Sequence, residues 1–300
     1  INTVTSSAPA KCKLGDEILI NVSFSKALSL SDTSNVKLKL KNIVNSGNSI
    51  TKDTIVYAPM TGGNNSTTLV FSYTVEAGDA SDGLEVYNEP GKGPIEGIEL
   101  TTAHVEVLED SNNLQAKRSA NPIKIDGTVP KATGVTITTD GEDGNKNGGI
   151  TYLRAGKTIT AKVTTDKAVT VQGSPKLKLN NITLDWQSVS SNGKEITFAK
   201  KITNETEGAL SYTADCISEI DTIKDDFGNS LVSSITAADA NVVIDRTKPE
   251  KPSITVLDTN KGSEGKFNGS AEFTVTSGID ANIAKTEYST EGGRNWNTYS

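Results

Sequence analysis

The chain has 300 residues and a net charge of −7, so it is long enough for two or three domains and lacks the basic surface that nucleic-acid binding requires. Apolar residues make up 34% and aromatic residues 5%, and no run approaches the roughly 18–20 apolar residues of a membrane-spanning helix. Thr, Ser, Asn, Gly and Asp fill much of the remainder, which is typical of short strands and polar turns. We therefore expect an all-β protein.

Three strand patterns occur twice along the chain. In each of them apolar and polar residues alternate, so one face of the strand is expected to be buried and the other solvent-exposed. The pairs are residues 18–24 with 159–163, residues 36–40 with 176–179, and residues 69–75 with 196–202. In the second pair the lysines, such as Lys37 and Lys39, are expected to point to solvent. This repetition predicts two copies of one module.

A further repeated stretch predicts where one module ends and the next begins. Residues 123–130 and 242–249 each lead from an alternating strand through an aspartate to a Thr-x-Pro bend. The two aspartates, Asp126 and Asp245, are 119 residues apart, which is the size of a small domain. Proline has no amide hydrogen and favours an extended residue before it, which suits a short connection between two sheets. We interpret each stretch as a join between units.

The joins divide the chain into unit 1 at residues 1–128, unit 2 at residues 129–248, and the N-terminal part of an incomplete unit 3 at residues 249–300. Each complete unit has about seven short strand patterns, separated by turn signals and without helix-length apolar stripes. We therefore predict tandem antiparallel immunoglobulin-like β-sandwiches; a closed barrel fits less well, because tandem joins need the first and last strands at opposite ends. In unit 3, Gly292 and Gly293 predict a hairpin turn.

The order of several motifs within unit 1 resembles that of a known family. The motifs are Gly-Asp-x-Ile-x-Ile-x-Val-x-Phe-Ser-x-Ala at 15–27, Thr-Leu-Val-Phe-Ser-Tyr-Thr-Val-x-Ala-Gly-Asp at 68–79, an Asp-x-x-Asn bend, and Ile-Asp-Gly-Thr-Val-Pro at 125–130. Together they resemble the tandem immunoglobulin-like, cadherin-like repeats of large bacterial or archaeal cell-surface proteins and adhesins. Unit 2 departs from the pattern, since Lys157 replaces the aspartate of the Gly-Asp pair.

The resemblance implies an extracellular, cell-surface stalk or adhesive array that is often stiffened by calcium. Its partners would be neighbouring repeats of the same polypeptide and an unidentified surface receptor or glycan, with lateral self-association as a further expectation. We accordingly expect calcium as the cofactor of this chain.

The best candidate calcium site is the loop at residues 140–149. Alternate Asp and Asn side chains precede Gly148, as in the first half of a calcium loop, where side-chain oxygens converge on a hard cation. Arg154 stands where the bidentate acid of that motif is expected. Because Asp, Asn and Gly are also the residues of tight turns, a polar turn is an equal alternative. The candidate ligands are Asp140, Glu142, Asp143, Asn145 and Asn147.

A second group of candidate ligands lies at the joins. Asp126 and Asp245 end the last strands of units 1 and 2, and Asp110, Asp225 and Asp226 occupy acidic bends that would approach the joins. Carboxylates gathered in this way repel one another unless a cation lies among them. The alternative is that each of them only accepts backbone hydrogen bonds in a turn.

The sequence offers little for catalysis. His104 is the only histidine and lies in an alternating strand pattern, where a surface position is expected. Cys12 and Cys216 occupy positions that do not correspond, so we interpret both as small apolar residues, with Cys12 the more exposed. We therefore expect a non-enzymatic protein.

The alternative function is a carbohydrate-binding or accessory module of a secreted polysaccharide hydrolase. Trp186 and Trp296 would then form a sugar-stacking surface, although core or half-buried packing is the favoured interpretation of both. An exposed coplanar aromatic platform would favour this alternative, whereas acidic joins around a cation would favour the surface stalk.

Overall fold

The computed structural model describes residues 1, 3–46, 49–98, 123–140, 146–147, 149–248, 250–256, 273–276, 286–289 and 292–299. These residues form β-strands and one short 3-10 helix, Ile220–Thr222. The all-β prediction is therefore confirmed for the described part of the chain. This part includes no helix with the length and hydrophobicity that crossing a membrane requires.

The described residues of unit 1 form one large and one small sheet. Its strands are Thr3–Ser6 (β1), Lys11–Lys13 (β2), Glu17–Leu28 (β3), Lys37–Ser46 (β4), Ser49–Gly62 (β5), Ser66–Thr74 (β6), Ala80–Ser81 (β7), Gly83–Val86 (β8), Ile95–Glu96 (β9) and Lys124–Asp126 (β10). The large sheet has the order β1-β3-β6-β5-β4-β8, with β9 also paired to β4, and the small sheet has the order β2-β10-β7.

Unit 2 contains a large sheet, a four-stranded sheet and the short pair β15–β21. Its strands are Lys131–Thr139 (β11), Lys146–Asn147 (β12), Ile150–Leu153 (β13), Thr158–Thr165 (β14), Thr170–Val171 (β15), Lys176–Leu179 (β16), Ile182–Val189 (β17), Glu195–Lys201 (β18), Gly208–Tyr212 (β19), Ile217–Ser218 (β20), Ile223–Lys224 (β21), Val232–Ser233 (β22) and Ala238–Ile244 (β23).

The two units have matching strand orders. The large sheet of unit 2 runs β20-β16-β17-β18-β14-β11, with β22 added beside β11, and this order repeats β8-β4-β5-β6-β3-β1 of unit 1. In the smaller sheets, the last strand of each unit pairs in parallel with an early strand, β10 with β2 and β23 with β13. It pairs antiparallel with a middle strand on its other side, β10 with β7 and β23 with β19. The repeated sequence patterns therefore correspond to a repeated topology.

Each unit has its own hydrophobic core. The alternating apolar residues of β3, β4 and β6 form the core of unit 1, and those of β14, β16 and β18 form the core of unit 2. Phe71 and Phe198 are fully buried at equivalent places in the two cores. The two clusters have no residue in common. Because a buried side chain of this size contributes about 1.5–3 kcal/mol, we expect each core to stabilise its own unit.

The described parts of unit 3 form two antiparallel pairs. Ser253–Val256 (β24) pairs with Phe273–Thr276 (β25), and Thr286–Tyr288 (β26) pairs with Asn297–Tyr299 (β27). The predicted Gly292-Gly293 turn lies between β26 and β27, and both glycines have positive φ angles. Trp296 follows this turn and is 60% exposed, so the interpretation of core or half-buried packing is wrong for this residue.

Two further predictions about burial are wrong. Lys39 was predicted to point to solvent, but its side chain is only 1% exposed because residues 87–94 lie against it. Its Nζ lies 2.6 Å from Glu89 Oε2 and 3.5 Å from Glu96 Oε1, and these carboxylates compensate the buried charge. Cys12, which was predicted to be the more exposed cysteine, is fully buried in the core of unit 1.

The separation of the two cores predicts that units 1 and 2 lose stability independently. Phe198→Ala should lower the unfolding free energy of unit 2 by about 3–5 kcal/mol, because it leaves a cavity in a closed core. Hydrogen exchange measured by mass spectrometry should show faster exchange in β14, β16 and β18, with β3, β4 and β6 unchanged. Leu19→Ala, at an exposed position, is the control and should change neither unit by more than about 0.5 kcal/mol. Equal loss of protection in both units would contradict separate cores.

Candidate functional site at the join of units 1 and 2

The join begins with a tight turn after β10. The Asp126 Oδ1 atom accepts a hydrogen bond of 2.9 Å from the Thr128 backbone N–H, which bends the chain two residues after the strand. Between them, Gly127 donates its N–H to Asp79 O at 2.7 Å and lies against the turn at residues 76–79. A Cβ atom at this position would lie 1.9 Å from Glu76 O, so only glycine fits. The turn therefore fixes the exit of the chain from unit 1.

The acidic bend of unit 2 forms the opposing surface. Asp225 Oδ1 accepts hydrogen bonds from the backbone N–H groups of Phe227 (3.0 Å) and Asn229 (2.9 Å). Gly228 adopts a positive φ of 90°, which lets the bend close after Phe227. These local bonds hold the Asp225 carboxylate in place, and its side chain is only 3% exposed.

The two surfaces are connected by Lys167, which follows β14. Its Nζ lies 2.6 Å from Asp126 Oδ2, 2.6 Å from Thr128 O and 2.9 Å from Asp225 Oδ2. The ammonium group thus contacts one carboxylate from each unit, together with the carbonyl of the linker. Ammonium groups have three N–H donors, so all three can be used here.

Asn229 adds a second connection across the same join. Its Nδ2 donates to Asp126 O at 2.9 Å and to Asp225 Oδ2 at 3.0 Å, while its Oδ1 accepts from the Leu14 backbone N–H at 3.0 Å. The residue is only 3% exposed, and all three of these hydrogen bonds use its side-chain amide. We call Lys167, Asp126, Asp225 and Asn229 the latch.

A peripheral ion pair lies beside the latch. The Lys11 ammonium of unit 1 is hydrogen-bonded to the Asp226 carboxylate of unit 2 and lies 5.6 Å from the centre of the Phe227 ring. The Asp226 side chain is 81% exposed, so this pair is screened by solvent and contributes less than the latch.

The charges of the latch shift two pKa values in the direction that stabilises the ion pair. Burial alone would raise the pKa of Asp225, but hydrogen bonds from Lys167 and Asn229 outweigh it and hold the pKa below the usual range. Burial alone would likewise lower the pKa of Lys167, but its hydrogen bonds to Asp126 and Asp225 raise the pKa. Both groups therefore remain charged around neutral pH.

The second join has the same turn but different partners. Asp245 Oδ1 accepts from the Thr247 backbone N–H at 3.2 Å, which repeats the turn of Asp126 and Thr128. Glu207 Oε1 accepts from the Arg246 backbone N–H at 3.1 Å and from the Thr247 hydroxyl at 3.0 Å. The join motif thus specifies a turn, while the surrounding contacts differ between the two places.

The structure brings several predicted ligands to the first join, where their partner is a lysine. Asp126 and Asp225 share the Lys167 ammonium, and Asp226 pairs with Lys11. Calcium binding by these carboxylates stays a prediction. Asp140 instead accepts a hydrogen bond from the Thr158 backbone N–H, which lowers the pKa of its carboxyl. Among the described residues, no three His, Cys, Asp or Glu side chains are grouped as metal ligands.

Other predicted residues lie outside the described part of the chain. These are Glu142, Asp143, Asn145, Asp110, His104 and the side chain of Asn147. Calcium binding by the loop at residues 140–149 therefore remains a prediction.

Lys167 and Asn229 were not predicted as functional residues, because the sequence pattern of a cation site singles out only the acidic members of the cluster. One signal was present: Lys167 precedes Ala168 just after β14, as Lys26 precedes Ala27 within the last part of the equivalent strand β3. The two tryptophans that would form the sugar-stacking surface of a carbohydrate-binding module lie in different units. Trp186 packs against the core of unit 2, whereas Trp296 lies in the hairpin β26–β27.

Replacing the latch lysine should destabilise the join. Lys167→Met should lower the unfolding free energy by about 1–3 kcal/mol, because it leaves the nearly buried Asp225 carboxylate without its cation. Lys176→Met is the matched control, since Lys176 is half-exposed and its pair with Asp185 lies at the surface; it should cost less than about 0.5 kcal/mol. Urea denaturation of both variants measures the difference.

The pH dependence of the difference in unfolding free energy between the wild type and Lys167→Met distinguishes an ion pair from simple packing. Because the pKa of Asp225 is lowered on folding, its contribution is present above the ordinary aspartate value of 3.8 and is lost as the pH falls further. Because the pKa of Lys167 is raised, its contribution is lost only as the pH rises above 10.5. The wild type should therefore exceed Lys167→Met in stability at neutral pH and converge with it in acid. A difference that is independent of pH would contradict the latch.

Comparison of the chain with protein-family models, with curated protein sequences and with solved structures finds no match. The internal repeat and the join are therefore the features of the molecule that bear on its function. They define two β-units that meet through a hydrogen-bonded, ion-paired interface.

Proposed function

We propose that the chain is a non-enzymatic segment of a long extracellular surface protein of the adhesin, stalk or surface-layer type. Its units are immunoglobulin-like β-sandwiches that serve as spacer or adhesive repeats in tandem. The observation that carries this proposal is the latch, which holds one carboxylate from each of two successive units on a single ammonium group.

A spacer must transmit position from one unit to the next. Interfaces between domains of one chain are usually small and polar, and relative motion is their default behaviour. The latch opposes such motion because Lys167 and Asn229 bind the linker itself, through Thr128 O and Asp126 O, as well as both flanking units. Any rotation at the linker would separate several of these atoms together. A stiff join of this kind extends the reach of a repeat array as units are added.

Lys167 is the cation between the carboxylates of this join, where calcium was expected. A cation among carboxylates removes their repulsion, and an ammonium group on the polypeptide does so at every ionic calcium concentration. Lys167 is 28% exposed and the facing Asp225 3%, so solvent screens the pair only in part. We propose that the first join is stiff without calcium, and that calcium, if bound by the loop at residues 140–149, acts elsewhere in unit 2.

The stiffness of the join is measurable as the spread of distances between the units. Nitroxide labels at Lys37→Cys and Lys194→Cys report on units 1 and 2, since both lysines are exposed and both native cysteines are buried. Pulsed electron resonance should give a narrow distance distribution, in calcium and in EGTA alike. The distribution should broaden when Lys167→Met is added, because the linker then loses its cation.

Lys176→Met serves as the control and should leave the distribution narrow. A distribution that is broad in the wild type would contradict a stiff spacer. A distribution that narrows only in calcium would assign the stiffness to the metal rather than to Lys167.

The extracellular location is tested independently of stiffness. An antibody raised against the chain should label intact, unpermeabilised cells of the source organism, because a surface repeat is accessible from outside. Labelling that requires permeabilisation would contradict the proposed location, whatever the behaviour of the join.

A further inference from the structure

Unit 2 carries an open groove of about 660 Å³ beside the latch. One wall is the segment at residues 168–172, and the other is formed by β17 and the turn that follows it. The walls are held together where Val169 donates its N–H to Gly193 O at 2.9 Å. Asp225 and Asp226 line one end. The volume lies within the range of about 300–1,000 Å³ that is typical of small-molecule sites.

The floor of the groove is apolar and aromatic. Val171, Trp186 and Val189 line it, and each of them is partly buried. The indole nitrogen of Trp186 is buried without a hydrogen-bond partner, so the part of the ring that faces the groove consists of carbon atoms. A ligand that lies on this floor must therefore present C–H groups.

The rim of the groove is polar and uncharged. Gln172 and Asn192 are exposed there, together with the hydroxyl groups of Ser190 and Ser191. Asn192 Oδ1 already accepts hydrogen bonds from Ser190 Oγ at 2.7 Å and from the Lys194 N–H at 3.0 Å. These bonds fix the orientation of the amide and direct its Nδ2 donor away from the turn. The rim thus offers amide and hydroxyl groups to a ligand with hydroxyls at its edge.

The charges around the groove are neutralised within the protein. Of the lining residues that the structure describes, only Asp225 and Asp226 are charged, and they pair with Lys167 and Lys11 respectively. An anionic ligand would meet two carboxylates, and a cationic ligand would compete with two lysines that are already in place. Charge complementarity therefore favours a neutral ligand.

We infer that this groove binds a neutral saccharide. A pyranose ring has an apolar face of C–H groups and an edge of hydroxyl groups, which match the carbon floor and the amide and hydroxyl rim. The carbon surface of Trp186 contacts the sugar face, and Gln172 and Asn192 bind the hydroxyl groups. The site requires no second tryptophan, so it differs from a platform of coplanar aromatic rings. It also goes beyond the spacer role, because a stiff join does not depend on a ligand in unit 2.

Fluorescence of Trp186 in the full chain provides the test. Trp296→Phe removes the other tryptophan, so that the emission reports on the groove alone. Cellohexaose, mannohexaose and xylohexaose are each titrated to about 10 mM, so that weak binding to the groove is detected. At least one of them should shift or quench the emission in a saturable manner, whereas trigalacturonate, which is anionic, should not.

The rim variant Gln172→Ala/Asn192→Asp should weaken that binding roughly tenfold, because it removes two neutral hydrogen-bond donors. Aspartate at position 192 keeps the oxygen that the turn requires, so folding is preserved. Gln187→Ala/Asn181→Asp is the matched control at exposed positions outside the groove and should bind as the parent does.

Two results would overturn the inference: no response to any of the three neutral hexasaccharides, or a response that the rim variant retains in full. Neither result would affect the narrow distance distribution expected of the latched join. The experiments can therefore contradict the saccharide site without contradicting the spacer role, and the reverse.

Discussion

The ammonium group of Lys167, held between Asp126 and Asp225, is the interaction on which the arrangement of the two units depends. Taking charges out of water is costly, and a pair of carboxylates facing each other across a join would repel. The lysine compensates both charges at distances of 2.6 and 2.9 Å, and the Asn229 amide donates to Asp126 O and to Asp225 Oδ2. The short connection of four residues, 127–130, thereby becomes part of a defined interface.

The latch requires both units to be folded, because its members come from distant parts of the chain. Asp126 ends the last strand of unit 1, Lys167 follows the second strand of the large sheet of unit 2, and Asp225 lies in a bend before β22. The matching strand orders explain why these parts meet. In both units the last strand pairs in parallel with an early strand and antiparallel with a middle strand, so the chain leaves a unit from an inner strand of the smaller sheet. At the first join, unit 2 presents Lys167 and the bend that contains Asp225 and Asn229 to that exit.

Asp225 is a member of the latch and also lines one end of the groove. The carboxylate of Asp225 accepts hydrogen bonds from Lys167 and Asn229. Its negative charge is therefore compensated within the protein at this end of the groove. The tight approach of Gly193 to Ala168, where an added Cβ would lie 2.8 Å from the Ala168 side chain, keeps the groove walls at a fixed separation. The proposed stiffness of the join and the shape of the groove thus depend on the same packed region.

The sequence by itself determined the all-β class, the buried faces of the main strands, the repeat and the turn at each join. These properties are local, since alternation, glycine and the Asp-x-Thr turn act within a few residues. The tertiary structure alone decided which cation lies between the carboxylates, because Lys167 is 41 residues from Asp126 and 58 from Asp225. It also decided the burial of Lys39 and Cys12, which alternation could not predict, because a covering segment and a second sheet lie far away in the chain. Local pattern specifies the strands, whereas the partners of a charge depend on which distant segments the fold brings beside it.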